Sequence, residues 1–459
     1  MKIKIENLGA IHQGEISTDK PLTILTGPNN SGKSYVAYLL YGMMKDMSHN
    51  ILREIDIDFT EEEKQILGAE PVDWEKAYHT LLSNREEELK RLIKHYVKEN
   101  INSYFSSNSL LPTINFIDEK VNIAAAIINN ETTYENITNQ LFCNVVSKVQ
   151  YEMLRGRLKF QKGNKVVNVP KLLKKMWLNK SIRNSVYFFP AERPAISILA
   201  EAEVERKSKQ QDKIQELFLN SKGIEDSDLA KNLKQQMQSK PTYPMAINDY
   251  IYFVNGLSQT VKKQSEFGDL ANEIERMLMK GTVGVSEFGS IQYTPEGMKE
   301  PLAIHMSSSL VKSLSGLVLY IRHLANEGDT LIIDEPEVNL HPDNQRIVAR
   351  VIAKIVNKGF RVILSTHSDY FIKEVNNLIM LNKANQDAAT KEQLLEDLKS
   401  QGYDADCFIS PDDVGVYFFD KNTIQAIEVD ETGFDVSSIE QELEKINHAT
   451  ELIYDTLFD

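Results

Sequence analysis

The chain has 459 residues, 42% hydrophobic and 26% charged, which is enough for two or three domains with the composition of a globular protein. Its formal net charge of −14 argues against a protein that coats nucleic acid through overall charge, and its two cysteines lack the spacing of a disulfide framework or a zinc site. The alternating N-terminus lacks the apolar core of a signal peptide, and no apolar run of about 18 residues follows. We therefore expect a soluble, cytoplasmic protein without a membrane partner.

Residues 1–44 begin with three predicted strands, and the third, PLTILT, leads directly into the sequence GPNNSGKS. A helical pattern follows at once, so this loop has the flanks that a GxxxxGK[ST] phosphate loop requires, although a glycine-rich turn can also be an ordinary loop. In such a loop, backbone amides would surround the phosphates, Lys33 would bind β- and γ-oxygens, and the Ser34 hydroxyl would bind Mg²⁺. The predicted phosphate-binding residues are Gly27, Pro28, Asn29, Asn30, Ser31, Gly32, Lys33 and Ser34.

The next region, residues 45–280, is mainly helical in pattern. Apolar residues between Trp74 and Tyr96 recur at three- and four-residue steps, which predicts an amphipathic helix or helical pair with a charged outer face. No heptad pattern persists, so a long coiled coil is not expected. We interpret the region as a helical insertion that packs on itself or on a partner subunit.

A basic segment interrupts this region, because no acidic residue occurs between Glu152 and Glu192. The sequence RLKFQKGNKVVNV predicts a β-hairpin that turns at Gly163 and Asn164, and KLLKKMWL predicts a short basic helix. The segment could contact nucleic acid phosphates or an acidic partner, or it could be a solvated face balanced by the chain's own acids. Its basic residues are Arg155, Arg157, Lys159, Lys162, Lys165, Lys171, Lys174, Lys175, Lys180 and Arg183.

Two further features are a predicted strand that ends near Arg193 and a serine cluster that precedes a predicted helix. The apolar run SVYFF predicts a buried strand ending in PAERP, where Arg193 faces the nucleotide or pairs with an acid. After a predicted antiparallel hairpin or meander at residues 281–304, Ser307, Ser308 and Ser309 precede a helix. The serines are either an N-cap cluster or an anion site for a γ-phosphate, including one held by another subunit.

The run LIIDEPEVNLHP predicts a strand buried on both faces that ends in Asp334 and Glu335. Such strand ends bind ligands in open α/β sheets, and the two acids suit a magnesium-bound phosphate and an attacking water. A third buried strand, FRVILSTHS, is expected to place His367 beside Glu335, where its imidazole can bind a γ-phosphate or water. Residues 383–459 then give an acidic stretch, a hairpin expected to extend the sheet, and a helix from about Ser438.

Taken together, GPNNSGKS, the serine cluster, LIIDEPEVNLHP and STHS resemble the ABC-type ATPase heads of the SMC, RecF and OLD (overcoming-lysogenisation-defect) group. The resemblance covers roughly residues 1–44 and 281–382, and more weakly residues 185–193. It implies an α/β P-loop NTPase head, with a mixed sheet flanked by helices and a large mainly helical insertion, that dimerises around two ATP molecules. Lys33 and Ser34 match the Walker A residues, Asp334 matches the Walker B metal ligand, and Glu335 matches the catalytic glutamate.

By the same resemblance, His367 matches the switch histidine, Ser307–Ser309 the signature motif and Asn339–His341 the D-loop. The signature reads MSSSL where transporters and SMC proteins have LSGGQ. The tail is too short for the Toprim nuclease domain of OLD proteins. The chain is therefore most similar to stand-alone ATPase subunits of anti-phage systems of the Septu and PARIS types.

The resemblance suggests an ATP- and Mg²⁺-dependent oligomeric switch, a homodimer or higher oligomer, that controls a separate effector, expected to be a nuclease. The alternative is a RecF/SMC-like DNA-binding ATPase in repair. A transporter subunit is disfavoured by the insertion and the unusual signature. The expected domains are an N-terminal head lobe (1–44), a helical insertion (45–280) that contains a basic hairpin and a head strand (about 155–193), the main head (281–382) and a C-terminal α/β extension (383–459).

Overall fold

The computed structural model describes residues 2–46, 100, 103–105, 113–116, 150–154, 157–162, 165–168, 185–199, 243–382, 388–435, 448–452 and 454. The chain divides into two compact units. The smaller comprises Met1–Ile3, Met43–Asn100 and Phe116–Ser185, and the larger comprises Lys4–Gly42, Ile101–Asn115 and Val186–Asp459. The amphipathic helix or helical pair predicted between Trp74 and Tyr96 lies outside the described residues. The bounds of the four expected domains stay predictions.

The strands are β1 (Lys2–Leu8), β2 (Ile11–Ser17), β3 (Leu22–Thr26), β4 (Thr113–Phe116), β5 (Gln150–Leu154), β6 (Arg157–Lys162), β7 (Lys165–Asn168), β8 (Val186–Phe189), β9 (Gly281–Val285), β10 (Ile291–Pro295), β11 (Leu302–Ala303), β12 (Thr330–Asp334), β13 (Arg361–Thr366), β14 (Val414–Asp420) and β15 (Thr423–Ile427). The helices are α1 (Lys33–Asp46), α2 (Met245–Asn255), α3 (Leu257–Thr260), α4 (Gly268–Ile274), α5 (Ser309–His323), α6 (Pro342–Asn357), α7 (Asp369–Leu381) and α8 (Ala388–Lys399), with a π-helical turn at Glu275–Met279.

The main sheet has nine strands in the order β4-β1-β2-β15-β14-β3-β13-β12-β8. Its last five strands, from β14 to β8, run parallel to one another, and β14 pairs antiparallel with β15. Strand β3 is buried along its whole length, and β12 and β13 are buried beyond their first residues. Continuous apolar sequences form such strands because both faces are covered. Since parallel strands end at the same edge, the segments after β3, β13, β12 and β8 are brought together.

The strand register fixes how closely these segments approach. Thr26 at the end of β3 lies opposite Thr366 of β13, and Asp334 of β12 lies opposite Ser365 of β13. Phe189 of β8 lies opposite Ile333. One edge of the sheet therefore carries four features within a residue or two of the strand ends: the phosphate loop, the paired acids, the histidine and the PAERP segment.

The flanking helices begin at residues suited to helix starts. The Ser308 Oγ accepts a hydrogen bond from the backbone N–H of Val311 at the start of α5, and the Ser368 Oγ accepts one from Phe371 at the start of α7. Pro342 is the first residue of α6, where its missing N–H has no partner to lose. Apolar side chains of α5, α6 and α7 share one buried core with β3, β12 and β13. None of the described helices combines the length and apolar character needed to cross a bilayer.

Two smaller antiparallel sheets complete the described fold. Strands β9, β10 and β11 form the meander that the sequence predicts at residues 281–304. Strands β5, β6 and β7 lie in the smaller unit, and β6 and β7 form the predicted basic hairpin, with Lys162 opposite Lys165. The basic helix predicted after this hairpin lies outside the described residues.

The C-terminal hairpin joins the main sheet, as the sequence predicts. Strand β14 pairs with β3 and β15 with β2, so the hairpin lies inside the sheet. The hydrophobic pattern identifies a strand but does not fix its neighbour, so it does not predict this position. The predicted α/β class, a mixed sheet flanked by helices with a phosphate loop after an inner strand, is confirmed.

Candidate functional site

The phosphate loop joins β3 to the first turn of α1. Gly27, Gly32 and Lys33 are buried, Pro28 and the next two residues are exposed, and Ser31 and Ser34 are intermediate. The Lys33 ammonium donates hydrogen bonds to the carbonyl oxygens of Gly27 (2.9 Å) and Pro28 (2.8 Å). Burial lowers the pKa of Lys33, while nearby carboxylates, that of Glu335 first, act in the opposite direction. The next residue, Ser34, joins the loop to the paired acids, because its hydroxyl donates to Asp334 Oδ1 at 3.2 Å.

Gly27 is required by a close approach of the C-terminal hairpin. Its φ is +140°, and a Cβ atom there would lie 2.4 Å from the carbonyl oxygen of Phe419 in β14. Such a distance is far inside van der Waals contact. The position of the loop is consequently set by β14, which only the folded structure brings beside β3.

Asp334 and Ser34 form the candidate metal site. The Ser34 hydroxyl donates to Asp334 Oδ1 at 3.2 Å, and the Ser365 hydroxyl donates to the same oxygen. Asp334 is 2% exposed, and this burial raises its pKa, with the two serine hydrogen bonds acting against the rise. A desolvated carboxylate beside a hydroxyl is a hard oxygen pair that a cation would stabilise, so these residues fit Mg²⁺.

Glu335 and His367 are the candidate catalytic pair. His367 Nδ1 lies 3.5 Å from Glu335 Oε1, at the ends of adjacent strands. This hydrogen-bonding contact lowers the pKa of Glu335 and raises the pKa of His367. Both side chains are partly exposed, so solvent and substrate can reach them. Water attack needs such a reachable, ionised carboxylate.

Glu337 is a site residue that the sequence reasoning missed. Its side chain is 3% exposed, and Oε1 accepts hydrogen bonds from the Thr366 hydroxyl (2.5 Å) and the His367 backbone N–H (3.1 Å). Its Oε2 is buried without a hydrogen-bond partner among the described residues, and burial raises its pKa. The signal in the sequence was the third acid in the run DEPE. An acid so close to two functional acids is expected to be buried with them, and a buried acid needs hydrogen-bond partners.

The serine cluster is placed at the start of α5. Ser308 and Ser309 are exposed; Ser308 caps the helix, and the Ser307 hydroxyl donates to the Ile304 carbonyl oxygen at 2.6 Å. The N-cap interpretation is confirmed. Anion binding by these serines stays a prediction. The Ser308 hydroxyl accepts one hydrogen bond and can still donate another, whereas the Ser307 hydroxyl already donates its proton to Ile304.

The region matched to the D-loop is a turn directly after Glu337. Asn339 has a φ of 59°, and the Leu340 N–H donates to the Glu337 carbonyl oxygen at 3.1 Å. His341 caps α6 through a hydrogen bond from the Asp343 N–H to its Nδ1. The turn is thus built on the same short segment that carries the acids.

Arg193 fulfils neither of the two roles that the sequence suggested. Its guanidinium is fully buried and donates to backbone carbonyl oxygens, including those of Asp334 (2.7 Å) and Glu335 (2.8 Å). None of its hydrogen bonds among the described residues goes to a carboxylate. It lies behind the acidic pair and contacts their backbone.

Comparison with known proteins places these motifs in a family. The sequence profile described as the AAA ATPase domain matches residues 1–372. No curated protein sequence matches the chain.

Solved SMC head domains are among the structures that match the chain. The head with an extended coiled coil bound to the C-terminal domain of ScpA, derived from Pyrococcus furiosus, is 12% identical with a TM-score of 0.33, over 97% of this chain and 98% of that chain. The SMC head bound to the C-winged helix domain of ScpA is 12% identical with a TM-score of 0.35, over 93% and 96%. The head from Thermotoga maritima is 10% identical with a TM-score of 0.30, over 94% and 98%.

The profile match covers most of the chain, including the phosphate loop, both acids and the histidine. On this match, the chain belongs to the AAA ATPase domain family and is a nucleotide-binding enzyme that hydrolyses ATP.

Proposed function

We propose that Glu335 orients and deprotonates the attacking water during ATP hydrolysis, that Lys33 binds the β- and γ-phosphate oxygens, and that His367 hydrogen-bonds the γ-phosphate. The observation that supports this most is the 3.5 Å contact between Glu335 and His367, which lowers the pKa of the carboxyl group at a site that solvent can reach. The remaining loop residues, Gly27 to Gly32, supply backbone amides to the phosphates.

Ser34 and Asp334 are the proposed ligands of Mg²⁺, which when bound supplies positive charge to the β- and γ-phosphate oxygens. The hydrogen bond from Ser365 keeps the Asp334 carboxylate turned toward Ser34, since both serines donate to the same oxygen. The two proposed ligands are therefore already adjacent in the folded chain.

At the level of the whole protein, we propose a nucleotide-dependent oligomeric switch. Ser307, Ser308 and Ser309 of one subunit would bind the γ-phosphate held by another. In support, Ser308 and Ser309 are exposed at the N-terminus of a 15-residue helix, where free amides and the helix dipole favour an anion. Slow hydrolysis at Glu335 would then time the release of a separate effector, a nuclease acting in anti-phage defence.

The switch is tested by oligomeric mass and phosphate release in the presence of ATP. Glu335→Gln should bind ATP, release little phosphate and remain a stable oligomer, whereas Lys33→Ala should not bind ATP and should not assemble. The double variant Ser308→Ala/Ser309→Ala should bind ATP as a single subunit but fail to assemble. Ser410→Ala is a matched control, because Ser410 also caps a short helix through the Asp412 N–H.

Two results would reject parts of this proposal separately. Equal phosphate release by wild type and Glu335→Gln would remove the catalytic role of Glu335. Unchanged mass with and without ATP, in variants that hydrolyse normally, would remove the switch but leave the ATPase site.

The effector is tested by affinity purification from the native cell. Glu335→Gln with ATP should retain a partner protein that Lys33→Ala does not retain. A nuclease in the first sample supports the proposed control of an effector. Identical partners for both variants argue against nucleotide control.

A second candidate function, a DNA-binding ATPase in repair, is favoured by the basic strands β6 and β7, which carry Arg157, Lys159, Lys162 and Lys165. If it holds, DNA binding should weaken with salt, and neutralising Lys162 and Lys165 should reduce the salt dependence. Absence of DNA binding at low salt would remove this candidate.

A further inference from the structure

Arg193 joins three segments of the chain at the back of the candidate site. Its Nε donates to the carbonyl oxygen of Ser313 in α5 (2.8 Å), and its Nη1 donates to those of Pro190 (2.9 Å) and Asp334 (2.7 Å). Its Nη2 donates to the carbonyl oxygen of Glu335 (2.8 Å). One side chain therefore ties the end of β8 and the helix that follows the serine cluster to the two acidic residues.

The environment of this arginine is unusual for a buried cation. It is 2% exposed, and burial lowers its pKa, with Tyr250 and the carboxylates of Glu337, Asp334 and Glu335 acting against that effect. Buried arginines usually pair with a carboxylate, because an unpaired buried charge is costly. Here the guanidinium instead binds backbone oxygens in a fixed fork geometry, which orients the peptide groups that carry them.

The backbone at Glu335 needs such support. Its φ is 47°, a left-handed conformation that side chains other than glycine rarely adopt, and the residue precedes Pro336, before which an extended conformation is favoured. Strained backbone of this kind persists only where neighbouring groups determine it. The Glu335 N–H donates to the carbonyl oxygen (3.2 Å) and hydroxyl (3.0 Å) of Ser365, so Ser365 holds one side of the residue and Arg193 the other.

We propose that Arg193 is a positioning residue for hydrolysis: it holds the left-handed backbone of Glu335 and thereby aims the carboxylate at the attacking water. The proposal rests on the catalytic role of Glu335 proposed above. It does not assign Arg193 any contact with ATP, and it predicts an effect on turnover with little effect on nucleotide binding.

The test compares Arg193→Lys and Arg193→Met with a matched control, Arg361→Met. Arg361 is the first residue of β13, at the opposite end of that strand from the site. It is partly buried, and like Arg193 it donates to a backbone carbonyl oxygen, that of Thr18 (3.2 Å). Because displacement of a catalytic group by about 1 Å costs about 100-fold, we expect Arg193→Met to lower kcat by about 100-fold with KM and ATP affinity within about 3-fold of wild type. Arg193→Lys keeps the charge but not the fork, so it should lose turnover to an intermediate extent.

A double variant separates positioning from general support of the fold. If Arg193 acts through Glu335, adding Arg193→Met to Glu335→Gln should not slow hydrolysis further. Additive losses, a loss of ATP affinity equal to the loss of kcat, or failure of both single variants to fold would overturn the proposal. Wild-type turnover in Glu335→Gln would instead reject the catalytic role of Glu335, and normal turnover in folded Arg193→Met would reject this inference alone.

Discussion

His367 Nδ1 lies 3.5 Å from Glu335 Oε1, and each residue alters the protonation of the other. The contact lowers the pKa of Glu335 and raises the pKa of His367 from their ordinary values of 4.5 and 6.5. Because the pKa of the carboxyl group is lowered in the folded protein, its contribution to stability is fully present above pH 4.5 and is lost as the pH falls through the lowered pKa. Because the pKa of the imidazole is raised, its contribution is fully present below pH 6.5 and is lost as the pH rises through the raised pKa. The attraction is therefore complete between these values and weak in size, since both groups are partly exposed.

The first prediction concerns the titration of His367 by NMR. Its midpoint should lie above 6.5 in the wild type and move down in Glu335→Gln, because the neutral amide no longer favours the imidazolium. The resonance is assigned from the spectrum of His367→Gln. An unchanged midpoint in Glu335→Gln would show that the two side chains do not interact in solution.

The second prediction separates the charge of Glu337 from its hydrogen bonds. Glu337→Gln keeps an oxygen that can accept from the Thr366 hydroxyl and the His367 N–H, so its turnover and stability should stay close to wild type. Glu337→Ala leaves both donors buried without an acceptor and should cost about 1–3 kcal/mol of unfolding free energy, together with turnover. Phosphate release and urea unfolding measure the two effects. Equal losses in both variants would mean that the charge, and not the acceptor, is required.

The third prediction concerns the contact between the phosphate loop and β14. In Gly27→Ala, the new Cβ would meet the Phe419 carbonyl oxygen at 2.4 Å in a backbone conformation that alanine rarely adopts. We expect a loss of about 1–3 kcal/mol in stability and weaker binding of ATP, measured by urea unfolding and by nucleotide titration.

The matched control is Gly268→Ala, because a Cβ at Gly268 would have no heavy atom within 4 Å. This substitution should be neutral or stabilise by up to about 1 kcal/mol. If Gly27→Ala behaved like Gly268→Ala, the loop would not depend on β14.

Local sequence was sufficient for the parts of the site that follow continuous apolar strands. The phosphate loop after β3, Asp334 after β12 and His367 after β13 could be placed because parallel buried strands bring their carboxyl ends to one edge. The start of α5 could be placed because serines before an apolar periodic segment favour an N-cap.

Other contacts leave no local signal. Arg193 binds backbone carbonyl oxygens, and every residue has one, so no pattern in the sequence identifies its partners. Gly27 meets Phe419 only because β14, nearly 400 residues later, pairs with β3. Glu337 has its two donors, the Thr366 hydroxyl and the His367 N–H, at the end of β13 and directly after it, about 30 residues along the chain.

The last prediction concerns a buried ionic network that joins α6, α7 and the segment before β14. Glu374 has a fully buried side chain that accepts from Arg350 Nε (2.5 Å), Arg346 Nε (2.9 Å) and the Tyr403 hydroxyl (3.0 Å). Glu374→Ala leaves Arg350, itself 3% exposed, without its carboxylate. Removing one partner of a buried pair costs about 3–5 kcal/mol, since the other charge stays desolvated.

Urea unfolding should therefore show a large drop in the midpoint of Glu374→Ala with an unchanged slope. The control is Glu396→Ala, because the Lys399–Glu396 pair is exposed, with side chains 71% and 69% accessible at 3.3 Å. Exposed pairs of this kind contribute less than about 1 kcal/mol. A similarly small loss in both variants would mean that the buried network contributes no more than a surface ion pair. In that case, the remaining arginines would have found other partners or solvent after the substitution.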